Sequence, residues 1–150
     1  MNAGFSSGSR VFSNNGRMNS LRILHALLLG LAGLPLAGHA GDTTPAQQLA
    51  QWTAAAGQPA SAARGQAFFT QRHGGEWSCS SCHGTPPTAQ GRHASTGKSI
   101  APLAPAFNPQ SLTDSARTAK WLRRNCNDVL SRECTAAEKA DVLAYLTSLK

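Results

Sequence analysis

Five consecutive residues carry the most chemistry in this chain: Cys-Ser-Ser-Cys-His, Cys79 to His83. Two thiols separated by two residues can add to the two vinyl groups of one haem, and a histidine directly after the second cysteine can turn its imidazole onto the iron. The spacing implies one covalently attached haem c, held through Cys79 and Cys82, with His83 as the proximal axial ligand. A disulfide or half of a zinc site would use the same thiols. Tetrahedral zinc needs four ligands, however, and the other two cysteines, Cys126 and Cys134, lack the close pairing of a metal knuckle. A thioredoxin-like pair would open a helix after a strand, and no strand pattern precedes Trp77.

The elements that must position this motif read as helices. Thr44 followed by Pro45 starts a short alanine-rich helix to about Ala56, with the hydroxyl as N-cap and proline where no amide donor is missed. Ser61 caps a second, AARGQAFFTQR, whose Gly65 and Phe69 lie four apart and offer a gap and a ring on one face. From Gly84 to Gln110 recurrent prolines and glycines exclude a regular element and imply a long irregular loop. Helical spacing returns from Thr113 to about Asn125, with Leu112, Ala116, Ala119, Trp121, Leu122 and Cys126 as inward positions and Arg123-Arg124 near its end. Thr135 to Glu138 is a capping box opening a last helix to Leu149, with an apolar stripe of Val142, Tyr145, Leu146 and Leu149. No strand alternation is convincing. The expectation is an all-α fold of about four short helices, too poor in large apolar side chains to bury much surface without an apolar cofactor.

A helix with Gly65 and Phe69 ahead of the haem motif and a closing helix with Tyr145 and Leu146 resemble the class I cytochrome c fold, whose first and last helices cross through a glycine and an aromatic. That resemblance implies a methionine sulfur on the iron's sixth position, yet Met1 and Met18 both lie in the first forty residues. His73, His93, Lys98, Lys120, an amide oxygen, water or no ligand remain open. His93, on the loop, would make a bis-histidine electron shuttle; a lysine must first lose its proton. His93 and Arg124 are also the candidate proton donors should the haem belong to a reductase or oxidase.

Three longer stretches, GQAFFTQRHGGEWSCSSCHG, GRHASTGKSIAPLAPAFNP and WLRRNCNDVLSRECTAAEKADVLAYL, together resemble the SHP-type cytochromes c, the sphaeroides haem protein family, over most of residues 65 to 149. The resemblance implies that Asn125 is the sixth ligand of oxidised haem and that Cys126 pairs with Cys134. Asn127, two residues on, is the decoy, with a helix C-cap as its ordinary role. Surplus thiols in an exported protein are usually oxidised, which points to the same bridge. An amide oxygen is a hard, neutral donor that holds ferric iron better than ferrous, so reduction should loosen it and admit oxygen, nitric oxide or carbon monoxide. The expected role is therefore electron transfer with redox-gated binding of diatomic ligands, more carrier than enzyme. The family also implies a dihaem cytochrome c and a membrane cytochrome b as redox partners.

Residues 1 to 40 carry Arg10, Arg17 and Arg22, no acid, and an apolar stretch from Ile23 to Leu36, the pattern of a secretory signal peptide. Gly38 and Ala40 suit cleavage after Ala40, leaving a haem domain of residues 41 to 150; translation from Met18 would give a leader of ordinary length. The apolar stretch is short of the roughly twenty residues that span a bilayer, so no membrane span is expected after cleavage. The periplasm is the expected location. Beyond Ala40 eleven basic residues face seven acids, a net charge of +4, too mild and spread to argue for nucleic acid but enough to steer an acidic redox partner.

Overall fold

The computed structural model describes residues 41–150, so the expected signal peptide lies outside the described residues. Five helices and one two-stranded ribbon follow in order. α1, Pro45–Ala56, starts on a capping box between Thr44 and Gln47 and stops at Gly57, whose φ of 65° is the left-handed conformation glycine adopts without penalty. α2, Ala62–Thr70, is capped by the Ser61 hydroxyl and ends two residues before the expected Arg72. α3, Cys79–His83, is one turn formed by the haem motif itself, with a Ser78–Ser81 capping box; this fifth helix was not among the four expected. α4, Ser115–Leu130, begins at the Asp114 cap, and α5, Ala136–Ser148, begins on the expected Thr135–Glu138 box.

The core forms where α2 crosses α5. Phe69, Val142, Tyr145 and Leu146 bury one another there, with the Phe69 and Tyr145 rings 5.6 Å apart. Gly65 makes the crossing possible, because a Cβ at that position would overlap the carbonyl of Asp141. Asp141, buried on α5, locks the same crossing: its carboxylate accepts the Ser61 amide at 2.7 Å and the Arg64 guanidinium at 2.7 and 2.8 Å. The acid thereby satisfies one of the open amides at the start of α2. α1 covers another side of α5, where Lys139 lies 4.5 Å from the Trp52 ring.

The loop from Gly84 to Gln110 is less irregular than its composition suggests. Gly91–Arg92 (β1) and Ser99–Ile100 (β2) pair antiparallel, and the amides of Leu103 and Ala104 donate to the Pro87 carbonyl at 3.1 and 3.2 Å. Strands of two residues carry no alternation, which is why no sequence period betrays them.

α4 departs furthest from expectation. It runs to Leu130 and stops at Ser131, whose φ is 56°, so Arg123, Arg124, Asn125 and Cys126 lie inside the helix rather than near its end. Of its expected inward positions Cys126 is buried and Leu122 half-buried, but Ala116, Ala119 and Trp121 are exposed. α4 packs weakly on the other elements. Its anchors are polar and covalent: Gln48 of α1 donates to the Ser115 hydroxyl at 3.0 Å, Asp42 accepts the Ser115 amide at 2.8 Å, and a disulfide holds the far end.

Candidate haem site

α3 presents Cys79, Cys82 and His83 on one turn. Both thiols are free and half-buried. Burial pushes the Cys79 thiol up to about 11. The ribbon packs directly on this turn: a Cβ on Gly91 would overlap the Cys82 carbonyl and lie 3.1 Å from His83 Cα, and the Ala94 amide donates to Cys82 Sγ at 3.2 Å. His83 is half-buried, 6.2 Å from the Phe69 ring, and its Nδ1 has no hydrogen-bond partner among the described residues. Burial, and then the neighbouring His93, pull its pKa down to about 4, so the imidazole is neutral, the form that binds a metal. Two thiols at thioether spacing beside a neutral, under-bonded imidazole fit the expected haem. No three His, Cys, Asp or Glu side chains gather as a metal-ion site among the described residues, which leaves the zinc alternative without ligands.

The other two histidines of the described residues are engaged. His73 donates Nε2–H to the Phe68 carbonyl at 2.8 Å and its ring stands 4.3 Å from the Phe68 ring. His93 accepts at Nδ1 from the Thr96 amide at 3.3 Å, with the Ser95 hydroxyl also at 3.3 Å, and so closes the ribbon's turn.

On α4, Asn125 is half-buried and its side chain makes no hydrogen bond to the described residues. Asn127 differs: its amide donates to the Arg123 carbonyl at 3.0 Å. Cys126 is joined to Cys134, with Cα atoms 5.5 Å apart, and both are buried. Trp121, one turn before Asn125, is 45% exposed, with the Lys120 ammonium 5.6 Å and the Arg124 guanidinium 5.4 Å from its ring centre.

Comparison with known proteins decides the family. Residues 55–146 match a family described as "Domain of unknown function (DUF1924)". The cytochrome c-type protein SHP of Cereibacter sphaeroides is 50% identical over 135 residues, which cover 87% of this chain and 99% of that protein. The chain belongs to the SHP-type cytochromes c. Its cofactor is haem c. A structure described as oxidised SHP, an oxygen-binding cytochrome c, matches with a TM-score of 0.67 at 54% identity, covering 73% of this chain and all of that one. The solution structure of cytochrome c'' from Methylophilus methylotrophus, described as giving insight into haem-ligand detachment, matches with a TM-score of 0.62 at 31% identity over 70% of this chain and 93% of that one. The all-α fold expected from the sequence is the fold of these SHP-type cytochromes.

Sequence reading missed the supports of the site. Gly91 and the Ala94 amide against Cys82 left no sequence signal, since any short loop glycine looks alike. Asp141 did leave one. An acid inside the apolar stripe of α5 must find a cation or a helix end, and Arg64 lies at the start of α2.

Proposed function

We propose that the chain is a periplasmic electron-transfer cytochrome that binds diatomic ligands under redox control. Cys79 and Cys82 attach the haem, His83 ligates it proximally, and Asn125 ligates it in the ferric state. The haem supplies an iron that changes oxidation state and takes small ligands such as oxygen or nitric oxide. With haem bound, the Asn125 amide oxygen would hold the ferric iron and be released on reduction, because a hard neutral donor gains less from the softer ferrous ion.

The observation that carries this reading is the idle amide of Asn125 in the middle of a helix. Asparagine costs a helix interior up to about 0.7 kcal/mol relative to alanine, and it commonly recovers part of that through a local backbone hydrogen bond, as Asn127 does. Asn125 pays the cost and makes no such bond among the described residues. A half-buried amide kept without a protein partner is suited to a ligand outside the chain. Cys126, the next residue, is clamped to Cys134 and restricts how far Asn125 moves. The SHP and cytochrome c'' structures, described in terms of oxygen binding and haem-ligand detachment, support the same chemistry.

His93 as sixth ligand is less well supported. It belongs to the ribbon packed on α3, beside His83, and its Nδ1 already accepts the Thr96 amide. Arg124, the other proton-donor candidate, stands over Trp121. Among the described residues no helix is long and apolar enough to cross a membrane, in keeping with an exported carrier that meets a dihaem cytochrome c and a membrane cytochrome b.

Asn125→Ala tests the reading through absorption spectra of both oxidation states. The ferric spectrum should move from six-coordinate low spin toward high spin, while the reduced spectrum and rapid carbon monoxide binding persist. An unchanged ferric spectrum removes Asn125 as ligand.

A further inference from the structure

α4 carries Asn125 yet packs weakly on the other helices, so single contacts must decide how it sits. Three of them gather at its start. The Asp42 carboxylate accepts the Ser115 amide at 2.8 Å, the buried Gln48 donates its amide to the Ser115 hydroxyl at 3.0 Å, and the Thr113 carbonyl accepts the Thr43 amide at 3.4 Å. Gly41 lies against the same spot, where a Cβ would overlap the Thr113 carbonyl. Asp114 already caps α4 through the Arg117 amide at 2.7 Å. Asp42 and Gln48 are therefore a second set of partners, brought in from 73 and 67 residues away.

The other fixed point of α4 is the disulfide from Cys126 to Cys134. Ser115 and Cys126 are eleven residues apart, about three turns at 3.6 residues per turn, so both lie on one side of the helix, within about 20° of each other. Asn125 points about 100° round from Cys126. One anchor leaves a helix able to swing at its far end and to roll about its own axis. A second anchor on the same side, held at both the amide and the hydroxyl of Ser115, opposes both motions. The roll matters most for a ligand. A turn of about 20° moves a side-chain tip, about 5 Å from the axis, by about 2 Å, whereas a metal–ligand distance tolerates only about 0.2 Å.

We infer that Asp42 and Gln48 are positioning residues for the distal side. Residues 41–43 and Gln48 strap the first turn of α4 and set the roll at which Asn125 presents its amide. They act through Ser115, three turns from the disulfide, and the inference rests on the reading of Asn125 as the ferric ligand.

The test uses the holoprotein. Asp42→Ala removes the acceptor, Asp42→Asn keeps a neutral one, and Glu76→Ala makes the same charge change away from α4. Loss of a capping acceptor is worth about fivefold in a local opening equilibrium, so hydrogen exchange at the Ser115 amide should quicken about fivefold in Asp42→Ala and little in the other two. The high-spin fraction of the ferric protein, read by absorption and electron paramagnetic resonance, should rise in Asp42→Ala and return toward the parent value in Asp42→Asn. Gln48→Met, which keeps the side-chain volume and removes the donor, should raise it too. Faster exchange with an unmoved spin state overturns the inference, because a purely structural strap behaves that way. Asp42→Ala is then combined with Asn125→Ala. A strap that acts through Asn125 adds no further spectral change there, and an equal added change overturns the inference. If Asn125→Ala alters the ferric spectrum and Asp42→Ala does not, the strap fails and the ligand reading stands. If neither alters it, both fail.

Discussion

Replacing both Cys126 and Cys134 by alanine separates the structural role of the disulfide from the proposed one of fixing Asn125. The bridge spans a sequence separation of 8, closing a loop of nine residues. On the chain-entropy account such a loop restricts the unfolded chain by about 2.5 kcal/mol. For a domain of this size that corresponds to a fall of about 10 °C in Tm. Alanine is preferred to serine because both sites are buried and a hydroxyl without a partner would add its own desolvation cost. Guanidinium denaturation of the ferric holoprotein measures the stability. The ferric spectrum and the rate of carbon monoxide rebinding after photolysis report the distal side. If the bridge also fixes Asn125, the variant should lose about 2.5 kcal/mol and, under native conditions, gain high-spin ferric haem and rebind carbon monoxide faster. A variant that loses the stability yet keeps the ferric spectrum and rebinding rate refutes the clamp and leaves a purely structural bridge. A variant that loses no stability refutes the entropic argument itself.

Three further outcomes are expected. Gly65→Ala gains about 1 kcal/mol of helix propensity, but its Cβ overlaps the Asp141 carbonyl and forces α2 from α5, so denaturation should show a net loss of about 1–3 kcal/mol. Glu138 is pulled from 4.5 to about 2, first by its hydrogen bonds to Arg132. A carboxylate depressed by folding contributes stability that is complete above its unfolded pKa and lost as pH falls through the folded one, so acid titration should show a decline between about 4.5 and about 2 that Glu138→Gln abolishes. Amide hydrogen exchange at Arg124 to Asn127 should stay protected on reduction, because these residues lie inside α4 and a side-chain rotation would suffice for the proposed withdrawal of the Asn125 amide; loss of protection would mean that the helix itself opens.

The covalent cofactor was legible because its chemistry depends on local spacing: two thiols and a histidine must be sequence neighbours to reach two vinyl groups and one iron. The α2–α5 crossing was legible for a related reason, since Gly65, Phe69 and the Tyr145–Leu146 stripe each state their face through helical period. The extent of α4 was not. Its residues Asn125, Asn127 and Asp128 are polar and read as a helix end, yet the bond from Asn127 to Arg123 and the left-handed stop at Ser131 carry the helix on to Leu130. Trp121 misled for the opposite reason, because periodicity assigns a tryptophan inward, whereas here two flanking cations cover its exposed ring. The Arg64–Asp141 lock joins residues 77 apart, a separation that no local pattern encodes.

The place of Asn125 inside α4 sets what the proposed release would require. A ligand at a frayed helix end could leave by local unwinding, a low-cost motion available in either oxidation state. A ligand inside a helix, followed at once by a disulfide-bonded residue, cannot leave that way without breaking backbone hydrogen bonds on both sides. Its backbone is held and only its side-chain torsions are free. A ferric bond from this amide would then need little affinity of its own, because the amide is already presented and would lose little entropy on binding. On the proposed reading the same restraint would keep a released amide near the iron, where it could donate a hydrogen bond to an incoming ligand. A weak donor on a rigid support would therefore suffice for the proposed gate: the support would provide closeness in both states, and the preference of a hard oxygen for ferric iron would decide which state is closed.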